Sequence, residues 1–133
     1  MEEDIRWQQR FNNYRKALAQ LDRFLEKSEL NELEIQGLVQ AFEYTFELAW
    51  KTLQDLLIFK GFSGISGPKP VSQQAFQDGY IEDGEGWIRM LESRNLASHT
   101  YNEEIAARIV REIRQEYFAL MKALKVRLEN ELK

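Results

Sequence analysis

Apolar residues recur along most of this chain at steps of three and four, the spacing of helices with one face turned inward. From about Glu3 to Lys27 the stripe is Phe11, Tyr14, Leu18, Leu21 and Leu25, with Arg10, Arg15, Lys16, Asp22 and Arg23 on other faces. Ser28-Glu29-Leu30-Asn31 then offers polar residues that can cap a helix end. A second helix is predicted from about Glu32 to Lys60, roughly 43 Å long at 1.5 Å per residue. Its stripe is Ile35, Leu38, Phe42, Phe46, Ala49, Leu53 and Leu56. Gly61 should close it, because glycine accepts the left-handed conformation that follows a helix. Phe42, Tyr44, Phe46 and Trp50 put aromatic bulk on more than one side, which predicts packing on two sides, with a second subunit as a candidate neighbour.

Phe62 to Pro70 contains two glycines and both of the chain's prolines and reads as a loop. Val71 to Gln77 suits a short helix closed by Gly79, with Tyr80-Ile81 tucking back onto the core. Asp83 is placed to cap a third helix, with Trp87, Ile88 and Leu91 inward and Arg94 and Asn95 near its end. Thr100-x-x-Glu103 has the order of a capping box, and Asn102 is an alternative cap. A last helix follows, striped by Ile105, Ile109, Ile113, Tyr117, Leu120, Leu124 and Leu128. These elements predict an all-α fold, an antiparallel up-and-down four-helix bundle with a short extra helix in the connection between the second and third.

Composition narrows the picture. At 133 residues the chain suits a single domain spanning 1–133, and 44% hydrophobic with 30% charged residues is ordinary for a water-soluble protein. No apolar run is long enough to span a bilayer, and the acidic N-terminus lacks the order of a secretion signal. Without cysteine there is no disulfide framework, thiolate metal site or cysteine nucleophile, and the cytoplasm is the simplest location. A net charge of -4 argues against a general nucleic-acid coat, yet permits an RNA touched at few phosphates. One histidine cannot supply a zinc cluster and no acidic set shows ligand spacing, so neither metal nor cofactor is expected.

The candidate chemistry lies in Arg94-Asn95-Leu96-Ala97-Ser98-His99-Thr100-Tyr101, which holds the chain's single histidine. On an unbroken helix Arg94 and His99, five apart, would point about 140° away from each other. The capping signal at Thr100 or Asn102 predicts a break, which frees the two to turn together. It also sets His99 beside the N-terminus of the last helix, where free N–H groups and the helix dipole favour an anion such as a phosphate. The alternative is structural: an arginine capping carbonyls and a histidine filling a half-buried corner.

Arg94-x4-His99-x-Tyr101 resembles the Arg-x4-His-x-Tyr motif of HEPN-domain proteins, in particular the HepT group, also described as nucleotidyltransferase substrate-binding proteins. Phe42-Glu-Tyr-Thr-Phe-Glu-Leu-Ala-Trp-Lys-Thr-Leu53 resembles that group's second-helix signature. Gln74 to Ile81 with Gly86 to Leu91 resembles its middle segment, so the likeness covers nearly the whole chain. The resemblance implies a homodimer with both Arg/His motifs on one cleft. It implies a partner, a minimal nucleotidyltransferase acting as antitoxin by transferring AMP onto Tyr101, and a ribonuclease toxin acting on RNA. In an older proposal for the group, the chain is a non-catalytic subunit that binds a nucleotide or other substrate for the nucleotidyltransferase.

In the ribonuclease reading His99, with an ordinary imidazole pKa of about 6.5, moves the proton. Arg94 stabilises charge on the phosphorane, Asn95 orients a phosphate or caps its helix, and Tyr101 stacks on a base or is modified. A third reading is a structural dimer that docks the nucleotidyltransferase through its aromatic stripe. Arg108, Arg111 and Arg114 edge an RNA groove or form a solvated face, and Glu43 and Glu47 read as partners for surface cations.

Overall fold

A computed structural model describes residues 2–133. All regular structure among them is helical: α1 (Glu2–Leu25), α2 (Glu32–Phe59), α3 (Pro68–Gln77), α4 (Gly84–Leu96), a 3-10 turn (Ala97–His99), α5 (Glu103–Glu112), a π turn (Ile113–Tyr117) and α6 (Phe118–Glu131). The last three form one rod, because the residues at both joints keep right-handed helical angles. The result is the expected four-helix bundle with α3 as the short extra helix.

Contacts between the rods fix their directions. Arg10 near the start of α1 pairs with Asp55 near the end of α2 at 2.9 Å, and Lys27 just past α1 pairs with Glu34. Tyr14 donates to the Met121 carbonyl at 2.6 Å, while Arg114 reaches the Leu25 carbonyl at 3.0 Å, so α1 and the last rod are antiparallel too. Ser93 with Glu112 and Arg89 with Glu116 set α4 antiparallel to the last rod.

Local chemistry accounts for most boundaries. Asn31 caps α2 in a reciprocal box: its side chain accepts from Glu34 N at 2.8 Å and its own N–H donates to the Glu34 carboxylate at 2.9 Å. Gly61 and Gly79 hold φ of 103° and 80°, and the residue after each donates back to Leu57 and Ala75, closing α2 and α3. Helix α3 begins three residues earlier than predicted, at Pro68. Both prolines sit in its first turn, where a backbone N–H has no partner inside the helix anyway.

The core joins all the rods. Phe42 of α2 stacks on Tyr117 with ring centroids 5.6 Å apart, and Phe46 meets Trp87 of α4 at 6.1 Å. Trp50 is buried and Tyr44 leans on Gln20 of α1, so Phe42, Tyr44, Phe46 and Trp50 all have contacts inside the chain. On α4 the inward positions are Gly86, Trp87, Met90 and Ser93, whereas the predicted Ile88 and Leu91 are half-buried. Along the last rod Ile109, Ile113, Tyr117 and Met121 are all fully buried at a spacing of four. A regular helix drifts out of register with that spacing. The wide turn at Ile113–Tyr117 absorbs the drift, and Met121 takes the inward place predicted for Leu120.

Candidate functional site

Helix α4 ends at Leu96 and the chain tightens into the 3-10 turn, so the predicted break is present. Asn102 caps α5, its side chain accepting from Glu104 N at 2.9 Å and Ile105 N at 3.2 Å. The capping box expected on Thr100 does not form, because α5 starts at Glu103 with Asn102 as its cap, two residues beyond Thr100. Thr100 faces α2 instead. Its hydroxyl donates to Gln36 Oε1 at 3.0 Å, and its carbonyl accepts from Gln36 Nε2 at 3.1 Å. Gln36 therefore clamps the turn that carries His99 and Tyr101.

The four candidate residues form two pairs. Arg94 Nη2 donates to the Glu47 carboxylate of α2 at 2.5 Å, and Nη1 to Asn95 Oδ1 at 3.3 Å. His99 Nδ1 lies 3.2 Å from the Tyr101 hydroxyl, with the two rings edge to face. No hydrogen bond joins Arg94 to His99 among the described residues. Both His99 and Tyr101 are open to solvent, Tyr101 at 81% of its full exposure. Glu47 also lies 3.7 Å from Lys51. Glu43, one turn earlier on α2, is half-buried; burial pushes its carboxyl above the usual range, against the pull of the Arg94 charge.

Beneath Arg94 a polar network ties α4 to the π turn. Ser93 donates to Glu112 at 3.0 Å and lies 2.7 Å from the Tyr117 hydroxyl, which itself donates to Glu112. Burial opposes ionisation of Glu112, but hydrogen bonds from Tyr117, Arg108 and Ser93 outweigh it and hold the carboxyl below its usual range. Burial, helped by the Glu112 carboxylate, pushes the Tyr117 phenol far up.

Of the three arginines considered for an RNA edge, Arg108 pairs with Glu112 at 2.7 Å and Arg114 caps the end of α1 through the Leu25 and Lys27 carbonyls. Arg111, alone of the three, is exposed with neither an ion pair nor a side-chain hydrogen bond among the described residues. Sequence reasoning missed Glu47 as the partner of Arg94 and Gln36 as the clamp. The Glu43/Glu47 spacing was a visible signal for the first; Gln36 had none. Among the described residues no helix is long and apolar enough to cross a membrane, and no group of three or more His, Cys, Asp or Glu is set to hold a metal.

Residues 9–130 match the family model described as nucleotidyltransferase substrate binding protein like. The chain belongs to that family. A Haemophilus influenzae protein named "Probable ribonuclease HepT" is 31% identical to it over 93 residues, 67% of this chain. The match spans 64% of that relative's length, a little under two thirds. A crystal structure from Thermus thermophilus superposes with a TM-score of 0.80 at 36% identity, covering 86% of this chain and 98% of that one. A second structure, from Haemophilus influenzae and described as revealing the fold of a substrate binding domain of a nucleotidyltransferase, gives a TM-score of 0.69 at 24% identity. It covers 92% of this chain and 96% of that one, and supports the fold.

Proposed function

We propose that this chain, as one HEPN-like unit over residues 1–133, is the ribonuclease toxin of a two-component toxin–antitoxin module in the cytoplasm. One observation carries the reading. The chain's single histidine stands exposed on a turn clamped by Gln36, five residues from an arginine held in place by Glu47. That combination supports RNA cleavage by proton transfer and charge stabilisation, with no metal. His99 takes the proton of a ribose 2′-OH, the 2′ oxygen attacks the adjacent phosphorus, and the 5′ oxygen leaves with a proton. The product end is a 2′,3′-cyclic phosphate, and only protons are exchanged with the protein. A homodimer supplies a second His99, so that base and acid come from different subunits.

Arg94 neutralises charge on the non-bridging oxygens, and the Asn95 amide N–H is available to the same phosphate. Tyr101 stacks on a neighbouring base. It is also the residue a minimal nucleotidyltransferase, the antitoxin, would modify with AMP, placing bulk and negative charge beside His99. A second reading draws on the Arg94–Glu47 pair, which keeps the guanidinium engaged apart from His99. In that reading the chain is a non-catalytic subunit that binds nucleotide for the nucleotidyltransferase.

Purified parent and His99→Ala chains, incubated with RNA in EDTA, separate these readings. The parent should cleave, and the variant should lose about 100-fold or more of the rate while keeping its circular dichroism. A variant that cleaves at the parent rate removes His99 from the mechanism. A parent that binds nucleotide without cutting RNA establishes the binding subunit.

A further inference from the structure

A cleft of about 890 Å³ opens between α3 and α4, and it includes no residue of the Arg94–Tyr101 stretch. Its apolar surface is built from Phe76 and Ile88. Phe76 is 51% exposed, an unusual position for a phenylalanine ring. Gly84 explains how the ring is presented: a Cβ there would lie 3.1 Å from Phe76, so glycine lets the ring rest on the first turn of α4 with its other face open. Carboxylates from Glu82, Asp83, Glu85 and Glu92 surround this surface. The one cation lining it, Arg89, is already bonded to Glu116 at 2.6 Å.

A negative rim around an exposed aromatic surface repels a phosphate backbone and suits a segment that is apolar on one side and carries lysine or arginine on the other.

We propose that the α3–α4 cleft is the docking surface for such a basic amphipathic segment of the partner nucleotidyltransferase. The assignment rests on the partner reading above and adds where that partner holds on. The 13 residues of α4 span about 20 Å, so a body seated on its first turn remains within reach of Tyr101 beyond its last. Docking and modification then use different surfaces: the cleft supplies affinity, and the exposed tyrosine stays free to enter the partner's active site.

Isothermal titration of the full chain with the minimal nucleotidyltransferase proposed as its partner tests this. The variants are Phe76→Ser, the double Glu85→Lys/Glu92→Lys, and a charge-matched control, Glu3→Lys/Glu26→Lys, at exposed positions elsewhere. The cleft variants should weaken binding at least tenfold while the control stays within twofold, and parent binding should weaken as salt rises. Parent-like binding by both cleft variants overturns the docking surface while leaving the partnership intact. An equal loss in the control reduces the effect to net charge and also overturns it. A parent that does not bind that nucleotidyltransferase removes the partner reading and this assignment with it. Thermal melts of each variant confirm that it is folded.

Discussion

Replacing Tyr117 by phenylalanine removes one oxygen from the centre of the bundle and leaves the ring in place. The ring is fully buried and stacked on Phe42, so the apolar packing survives. What goes is a hydroxyl that donates to Glu112 and lies 2.7 Å from Ser93 Oγ and 3.1 Å from the Arg89 carbonyl oxygen. A hydrogen bond to a charged group contributes about 1.5–3 kcal/mol. Arg108 and Ser93 still hold the Glu112 carboxylate, so it is not left without partners, and the expected loss is about 2 kcal/mol. For a chain of this length that lowers the melting temperature by roughly 6 °C. Urea unfolding followed by circular dichroism at neutral pH measures the loss directly. The pH dependence adds a second check. The Glu112 carboxyl is depressed below its ordinary 4.5, so its stabilisation is present above that pH and lost as pH falls through the folded value. The gap between parent and variant should therefore narrow in acid. A loss under about 0.5 kcal/mol, or a gap unchanged down to about pH 3, would refute the assignment of this network as the tie between α4 and the π turn.

Further outcomes follow from single contacts. Glu47→Ala should change stability by less than about 1 kcal/mol, since the Arg94 pair is partly exposed, yet slow RNA cleavage about tenfold. Glu47→Gln, which keeps an acceptor, should recover part of that rate, and equal rates for Ala and Gln would deny Glu47 a positioning role. Asn102→Ala removes the α5 cap and should cost about 1 kcal/mol, with faster amide exchange at Glu104 and Ile105; unchanged exchange would count against the cap. Gly79→Ala meets no atom within 4 Å, so its cost is the positive φ alone, about 1 kcal/mol in a urea melt. Tyr14 and Tyr117 are both pushed above the ordinary 10.0, chiefly by burial, so their contribution is full below pH 10 and is lost as pH rises through the folded values. A variant with phenylalanine at both positions should show a flatter alkaline limb; a limb as steep as the parent's places the loss in other groups.

The sequence by itself determined what depends on a few neighbouring residues. The stripes of α1 and α2, the glycine stops at Gly61 and Gly79, the Asp83 cap and the break after Arg94 all follow from local periodicity and capping. Such signals are legible because each is satisfied within one or two helical turns. Even there, the start of α3 at Pro68 escaped, because proline forbids a helix interior but not a first turn. Tertiary structure decided the rest. The choice of Asn102 over Thr100 as cap turned on Gln36, 64 residues away in the chain, which claims the Thr100 hydroxyl. The partner of Arg94 turned on Glu47, 47 residues away, and the inward turn from Leu120 to Met121 on a wide turn needed to keep Tyr117 over Phe42. The motif announced which residues were worth watching. Only packing α4 against α2 decided where the guanidinium rests, because a long charged side chain takes whichever carboxylate the fold brings within reach.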